Sequence, residues 1–185
     1  MIKYIVYKSK TEFTKKYAEL LSMKFKLPCM SLEDAKTKIP PGESIMYMAG
    51  IRAFKLYDYK KVSMKYTIDS VVAVGMSAPS EEIRKEIETN NNLEKTPFFY
   101  LRGGTAPEKL TGFDKVLFSK IAKMTEKAKK KNKTPLTEQD AQLLEAMFKG
   151  ADFVDVENLK PITDWYSSYL IIQDMLAKKY KKTRH

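Results

Sequence analysis

Ser9, Thr11 and Thr14 place three hydroxyls within six residues, at the point where a polar turn gives way to a segment with helical apolar spacing. Hydroxyls beside the exposed amides of a helix N-terminus are what is needed to hold a phosphate without a metal. The run Ser9-Lys10-Thr11-Glu12-Phe13-Thr14 is therefore the first candidate ligand loop. The competing reading is that these hydroxyls only cap the helix, a common use of Ser and Thr. Other chemistries have less to work with. The single histidine is the terminal His185, so histidine-based general base catalysis, a Ser-His-Asp triad and histidine metal sites have almost no support. A single cysteine, Cys29, excludes an intrachain disulfide and cysteine-based clusters. Redox chemistry, if present, has to come from a bound cofactor.

The elements that position the first loop follow from the patterning. Ile2 to Tyr7 is short, β-branched and aromatic, as a strand requires, and Phe13, Tyr17, Leu20, Leu21 and Phe25 then recur at helical spacing until Leu27-Pro28. A weak strand at Cys29 to Leu32, a polar stretch to Pro40-Pro41-Gly42 and a buried strand at Ser44 to Met48 come next, with Ala49 to Tyr57 read as the loop after it. Ser70 to Val74 is another buried strand. Ser80 is placed to cap the helix that follows, with Glu81, Glu82 and Glu86 near its positive end, and Pro97 to Leu101 supplies a fifth strand. Beyond Arg102-Gly103-Gly104 the chain reads as helical. Leu110, Phe113, Leu117, Ile121 and Met124 form an apolar stripe, Thr137 to Phe148 a second helix and Asn158 to Lys179 a third, with Trp165, Tyr169, Ile172 and Leu176 as its buried face. Asp155 and Glu157 read as surface capping residues.

Strands alternating with helices imply right-handed crossovers and a mainly parallel sheet covered on both faces. The 185 residues read as one domain, with a helical insertion at about 105–150 and a C-terminal helix at about 158–180. In such a sheet ligands bind beyond the carboxyl ends of the strands, where strand order reverses. The loops after the first, third and fourth strands converge there: Ser9 to Thr14, then Ala49-Gly50-Ile51-Arg52-Ala53, then Met76-Ser77-Ala78.

Residues Tyr7 to Ala18 resemble the phosphate loop and first helix of the flavodoxin family, whose pattern is Ser/Thr-x-Thr-Gly-x-Thr. Met48-Ala49-Gly50-Ile51-Arg52-Ala53 is similar to the flavin-ring loop of its protoporphyrinogen-oxidase branch, and Tyr100-Leu101-Arg102-Gly103-Gly104 and Phe153 to Asn158 resemble that branch in order and spacing. The resemblance implies an α/β flavodoxin-like three-layer sandwich with a five-stranded parallel sheet of order 2-1-3-4-5. It also implies non-covalently held FMN and two-electron oxidation of protoporphyrinogen with a quinone as acceptor. On that footing Ser9, Thr11 and Thr14 hold the phosphate, Phe54 and Tyr57 stack on the ring or pack on the sheet, and Arg52 meets the flavin, an acidic substrate or solvent. Met76, Ser77 and Ala78 would bring backbone amides to the ring's polar edge. The chain departs from the pattern at Glu12, which stands where the family has glycine, so a bulky residue with a carboxylate is expected at a position suited to positive φ. The alternative kept open is a degenerate domain that has lost strong FMN binding and serves another ligand or partner.

Thirty-four Lys and Arg against 23 Asp and Glu give a net charge of +11, which attracts anions of every class. The lysine run from Lys127 to Lys133 reads as a solvated helix end, and without aromatic interleaving nucleic acid is the less supported partner. No signal peptide is legible at the start and no stretch reaches the roughly 20 apolar residues of a membrane span. The expectation is a cytoplasmic protein meeting a redox partner, quinone or porphyrin; the lysine-flanked stripe from Leu110 to Met124 reads first as a face packed on the sheet, with peripheral contact at the inner face of the membrane as the alternative.

Overall fold

Parallel strands buried on both faces read as continuous apolar runs, and the two longest in this chain do so. A computed structural model describes residues 1–112, 115–116, 119–120, 123, 127 and 138–182. The strands β1 (Tyr4–Lys8), β2 (Cys29–Ser31), β3 (Ser44–Arg52), β5 (Thr67–Gly75) and β6 (Phe98–Arg102) form a sheet in the order β2-β1-β3-β5-β6, each pair parallel. The chain runs from β1 outward to β2, then back past β1 to β3, so strand order reverses between β1 and β3.

Alternation along the strands divides the core. Met46 and Met48 of β3, with Ile5, Val72, Val74 and Leu101, meet α1 (Phe13–Phe25) and the start of α6 (Lys160–Lys182) on one face. Ile45, Tyr47 and Ala49, with Val6, Val71 and Ala73, meet α2 (Leu32–Lys38), α3 (Tyr59–Ser63) and α4 (Glu81–Asn91) on the other. Helix α5 (Glu138–Lys149) precedes β8 (Ala151–Asp152), which pairs antiparallel with β7 (Gly104–Thr105). Among the described residues no helix is long and apolar enough to cross a membrane.

Several expectations need correcting. The main sheet has six strands, not five, because the supposed loop from Ala49 to Tyr57 is strand as far as Arg52 and then turns back as β4 (Lys55–Leu56), antiparallel to β3. A two-residue strand carries no periodicity for the sequence to show. Helices α2 and α3 were not legible for the same reason: seven and five residues give too few turns for an apolar stripe. The face assigned to the last helix is correct only in its first half, since Trp165 and Tyr169 pack against the core while Ile172 and Leu176 are exposed. The stripe residues Phe113, Leu117, Ile121 and Met124, all of the lysine run after Lys127, Thr137 and His185 lie outside the described residues.

Candidate functional site

A cavity of about 450 Å³ opens beyond the carboxyl ends of β1, β3 and β5, at the strand-order reversal. This size suits a cofactor or small-molecule ligand, for which roughly 300–1,000 Å³ is usual. Four segments wall it: Lys10, Thr11, Phe13 and Thr14 from the β1–α1 loop; Gly50 to Phe54 and Tyr57 from the β3–β4 hairpin; Val74 to Ser77 from the end of β5; and Gly104, Thr105, Ala106 and Leu110 from the segment after β6. Ten of the fourteen sequence candidates thus meet around one space. Ser9, Glu12, Ala49 and Ala78 do not line it. Ala49 faces the core on the α2–α4 side.

Helix α1 begins without a side-chain cap, so neither Ser9 nor Thr11 serves the capping role that competed with phosphate binding, and its first turn contains no acid. The earliest backbone bond of the helix is Lys16 N–H to the Glu12 carbonyl at 2.9 Å, so the amides before Lys16 have no partner within the helix. Ser9 Oγ is buried and has no hydrogen-bond partner among the described residues. An unmet buried hydroxyl costs about 1–3 kcal/mol. Glu12 has φ 71°, in the left-handed region expected of the position, where glycine would be unstrained. Its carboxylate lies 3.6 Å from Lys15 Nζ.

The hairpin is the most strained part of the wall. Arg52 pairs with Lys55, so Ala53 and Phe54 are the two turn residues, and both have positive φ, 47° and 61°. Two-residue hairpin turns of this kind favour Asn-Gly, and an Ala-Phe pair costs on the order of 1–2 kcal/mol per residue. Asn91, at the end of α4, offsets this strain. Its Oδ1 accepts from the Leu56 N–H at 3.0 Å and its Nδ2 donates to the Phe54 carbonyl at 2.8 Å and to the Ile87 carbonyl at 2.7 Å. Tyr57 is held through its own backbone, its N–H donating to Gly50 and its carbonyl accepting from the Tyr47 hydroxyl at 2.6 Å. Its ring lies over Gly50 so closely that a Cβ there would sit 3.1 Å from it, so a side chain would require the ring to shift. Lys10 Nζ stands 4.6 Å and Arg52 Cζ 5.9 Å from the centre of the same ring. The rim therefore presents two cations around one aromatic face.

The remaining walls are fixed from behind. The Tyr100 hydroxyl donates to the Ser77 carbonyl at 2.9 Å, and Arg102 Nε donates to the Met76 carbonyl at 3.3 Å while its guanidinium stacks 3.6 Å over Phe153. Burial pushes the Tyr100 phenol up to about 12, against the opposing influence of Arg102, so it remains a donor. Gly104 is needed by close approach, since a Cβ would come 2.1 Å from the Ala151 carbonyl. Tyr17, fully buried in α1, donates to the Arg102 carbonyl at 2.8 Å and accepts from Asn158 Nδ2 at 2.8 Å, joining the end of β6 and the segment after β8 to α1. Lys16 pairs with Asp152 across the same junction. Cys29 is remote from the cavity, and burial raises its thiol to about 11.

The titratable side chains in the lining are Lys10, Arg52 and Tyr57, and no group of three His, Cys, Asp or Glu among the described residues is placed to hold a metal. Such a wall sets two cations beside an apolar and aromatic surface. Thr105, Ala106, Leu110 and the clamp residue Asn91 were not found from sequence. Thr105 and Ala106 follow a strand with no motif of their own, Leu110 reads as the start of an apolar helical stripe, and a lone Asn at a helix end reads as a C-cap, which Asn92 in fact provides. Comparisons with protein-family models, curated proteins and solved structures find no match.

Proposed function

We propose that this cavity binds FMN and that the protein is a flavodoxin-like oxidoreductase resembling the protoporphyrinogen-oxidase branch. The observation that carries the reading is the uncapped start of α1, with Thr11 and Thr14 in the cavity lining, at the strand-order reversal. With the hairpin strand β4 set aside, the parallel order β2-β1-β3-β5-β6 and the helices on both faces support a flavodoxin-like three-layer sandwich. Ser9, Thr11, Thr14 and the first amides of α1 would donate to the phosphate. Lys10 adds positive charge on that side. Phe13, Tyr57, Met76 and Leu110 offer an apolar bed for the ring, and Arg52 stands at the rim for its polar edge or for an acidic substrate. Bound FMN supplies two-electron redox chemistry, and protoporphyrinogen with a quinone acceptor is the pair to assay. The Glu12 carboxylate pairs with Lys15 at 3.6 Å, which offsets part of its charge beside the helix start.

The test is a titration of the purified protein with FMN, following flavin fluorescence. Saturable quenching is expected, weakened about tenfold or more by Ser9→Ala or Thr14→Val, because a hydrogen bond to a charged group contributes about 1.5–3 kcal/mol. The bulk of Phe54 and Tyr57 supports a second reading, a flavodoxin-like module for a different ligand. Absence of saturable quenching would select it.

A further inference from the structure

Helix α6 leaves the body of the protein halfway along its length. Leu159, Ile162 and Tyr166 are buried around its start, and Trp165 and Tyr169 pack partly against the same cluster. From Asp174 to Lys179 every residue is exposed. In this outer half Ile171 is 63%, Ile172 54%, Met175 64% and Leu176 42% exposed, and neither apolar cluster of the described residues includes them. Spaced one and four apart, they share one side of the helix. Lys178 and Lys179 stand one turn further on, and the sequence continues Tyr180-Lys181-Lys182-Thr183-Arg184, giving five basic residues in seven. The helix passes Met1, Asp69 and Pro97, at the edge of the sheet opposite the cavity.

We infer that this outer half of α6 is a docking surface for an anionic lipid bilayer, its apolar side entering the interface while its lysines reach the headgroups. Charge selects this occupant. An apolar helix side continued by a basic end is the arrangement that binds anionic membrane surfaces, with long lysine stems leaving the ammonium at headgroup level. A second copy of the chain fits poorly, since it would bring two +11 molecules together at their basic ends. The twelve outer residues of α6 also present a side only about 18 Å by 10 Å, roughly 200 Å², against the roughly 800 Å² per partner of a stable interface. This inference does not rest on the FMN reading.

The experiment is co-sedimentation of the full chain with vesicles of phosphatidylcholine, with and without phosphatidylglycerol. Binding is expected to the mixed vesicles at ~0.01 M salt, to fall steeply at ~1 M salt, and to be weak on phosphatidylcholine alone. Ile171→Asp with Met175→Asp should reduce partitioning more than about tenfold, and Gln at Lys178, Lys179, Lys181 and Lys182 should reduce it about a hundredfold, each with an unchanged melting temperature. The combination Ser9→Ala with Thr14→Val should leave it unchanged, which separates this outcome from that of the flavin titration. No sedimentation of the wild type, or equal sedimentation of a folded aspartate variant, overturns the inference. A wild-type dimer that the aspartate variant splits overturns it in favour of a second copy.

Discussion

Helices α1 and α4 both start from the carboxyl edge of the same sheet, yet they finish their N-termini in opposite ways. At α4, Ser80 accepts from the Ile83 N–H at 3.2 Å and Glu81 and Glu82 occupy the first turn, so the positive end is closed by the chain itself. The Glu82 carboxyl is held below the ordinary value by its own backbone N–H and by Ser80. At α1 there is no side-chain cap, no first-turn acid, a strained Glu12 and a buried hydroxyl without a partner. Closure of a helix start is worth about 1 kcal/mol, and of these two helices only α4 has it from its own chain.

The comparison can be broken most strongly at Asn91, the point where α4 reaches across to the cavity. Asn91→Ala removes three hydrogen bonds and leaves the Leu56 N–H unmet, so unfolding in urea should show a loss of about 3 kcal/mol. FMN titration of that variant should also weaken, because the Ala53-Phe54 turn loses the clamp that holds its strain. An unchanged midpoint would mean that the hairpin does not depend on α4.

Matched serine deletions sharpen the contrast. Ser80→Ala should destabilise the protein by about 1 kcal/mol with no effect on flavin titration, whereas Ser9→Ala should leave stability unchanged or raised while ligand affinity falls. Equal stability losses at the two serines would remove the distinction. Glu12→Gly relieves a left-handed residue and removes a carboxylate near the helix start, for an expected gain of about 1 kcal/mol and tighter anion binding, measured by melting and by titration. The exposed contact with Lys15 that it gives up is worth little.

The smallest effect concerns the loop between β5 and α4. Tyr100→Phe should cost about 1 kcal/mol at neutral pH by releasing the Ser77 carbonyl. The pH dependence has a definite sign. The folded phenol titrates at about 12 and the unfolded one near 10.0, so the stabilisation is intact below pH 10 and is lost as pH rises towards 12. Burial moves Tyr47 and Tyr169 in the same direction, so the alkaline loss should become shallower in the Phe variant without disappearing. Urea melts between pH 9 and about 12 check it.

Legibility differed by element for physical reasons. Runs buried on both faces, such as Ile45 to Ala49 and Val71 to Val74, have few alternatives to a central parallel strand, and Ser80 followed by acids states its own role. The three loops could be brought together because an alternating chain admits few topologies. The hairpin could not be seen, because its stability rests on Asn91, some 35 residues distant, and its turn residues argue against it locally. Ile172 and Leu176 continue an apolar period that the sheet is too short to cover.

The sequence by itself determined the alternating architecture, the poverty of histidine and cysteine, the excess of positive charge and the cluster of hydroxyls before α1, since each depends only on residue type and near spacing. Only the tertiary structure decided that those hydroxyls cap nothing, that Tyr57 lies over Gly50 between two cations, and that half of α6 stands clear of the core. These are relations between residues far apart in the chain, and local pattern carries no record of distance in space.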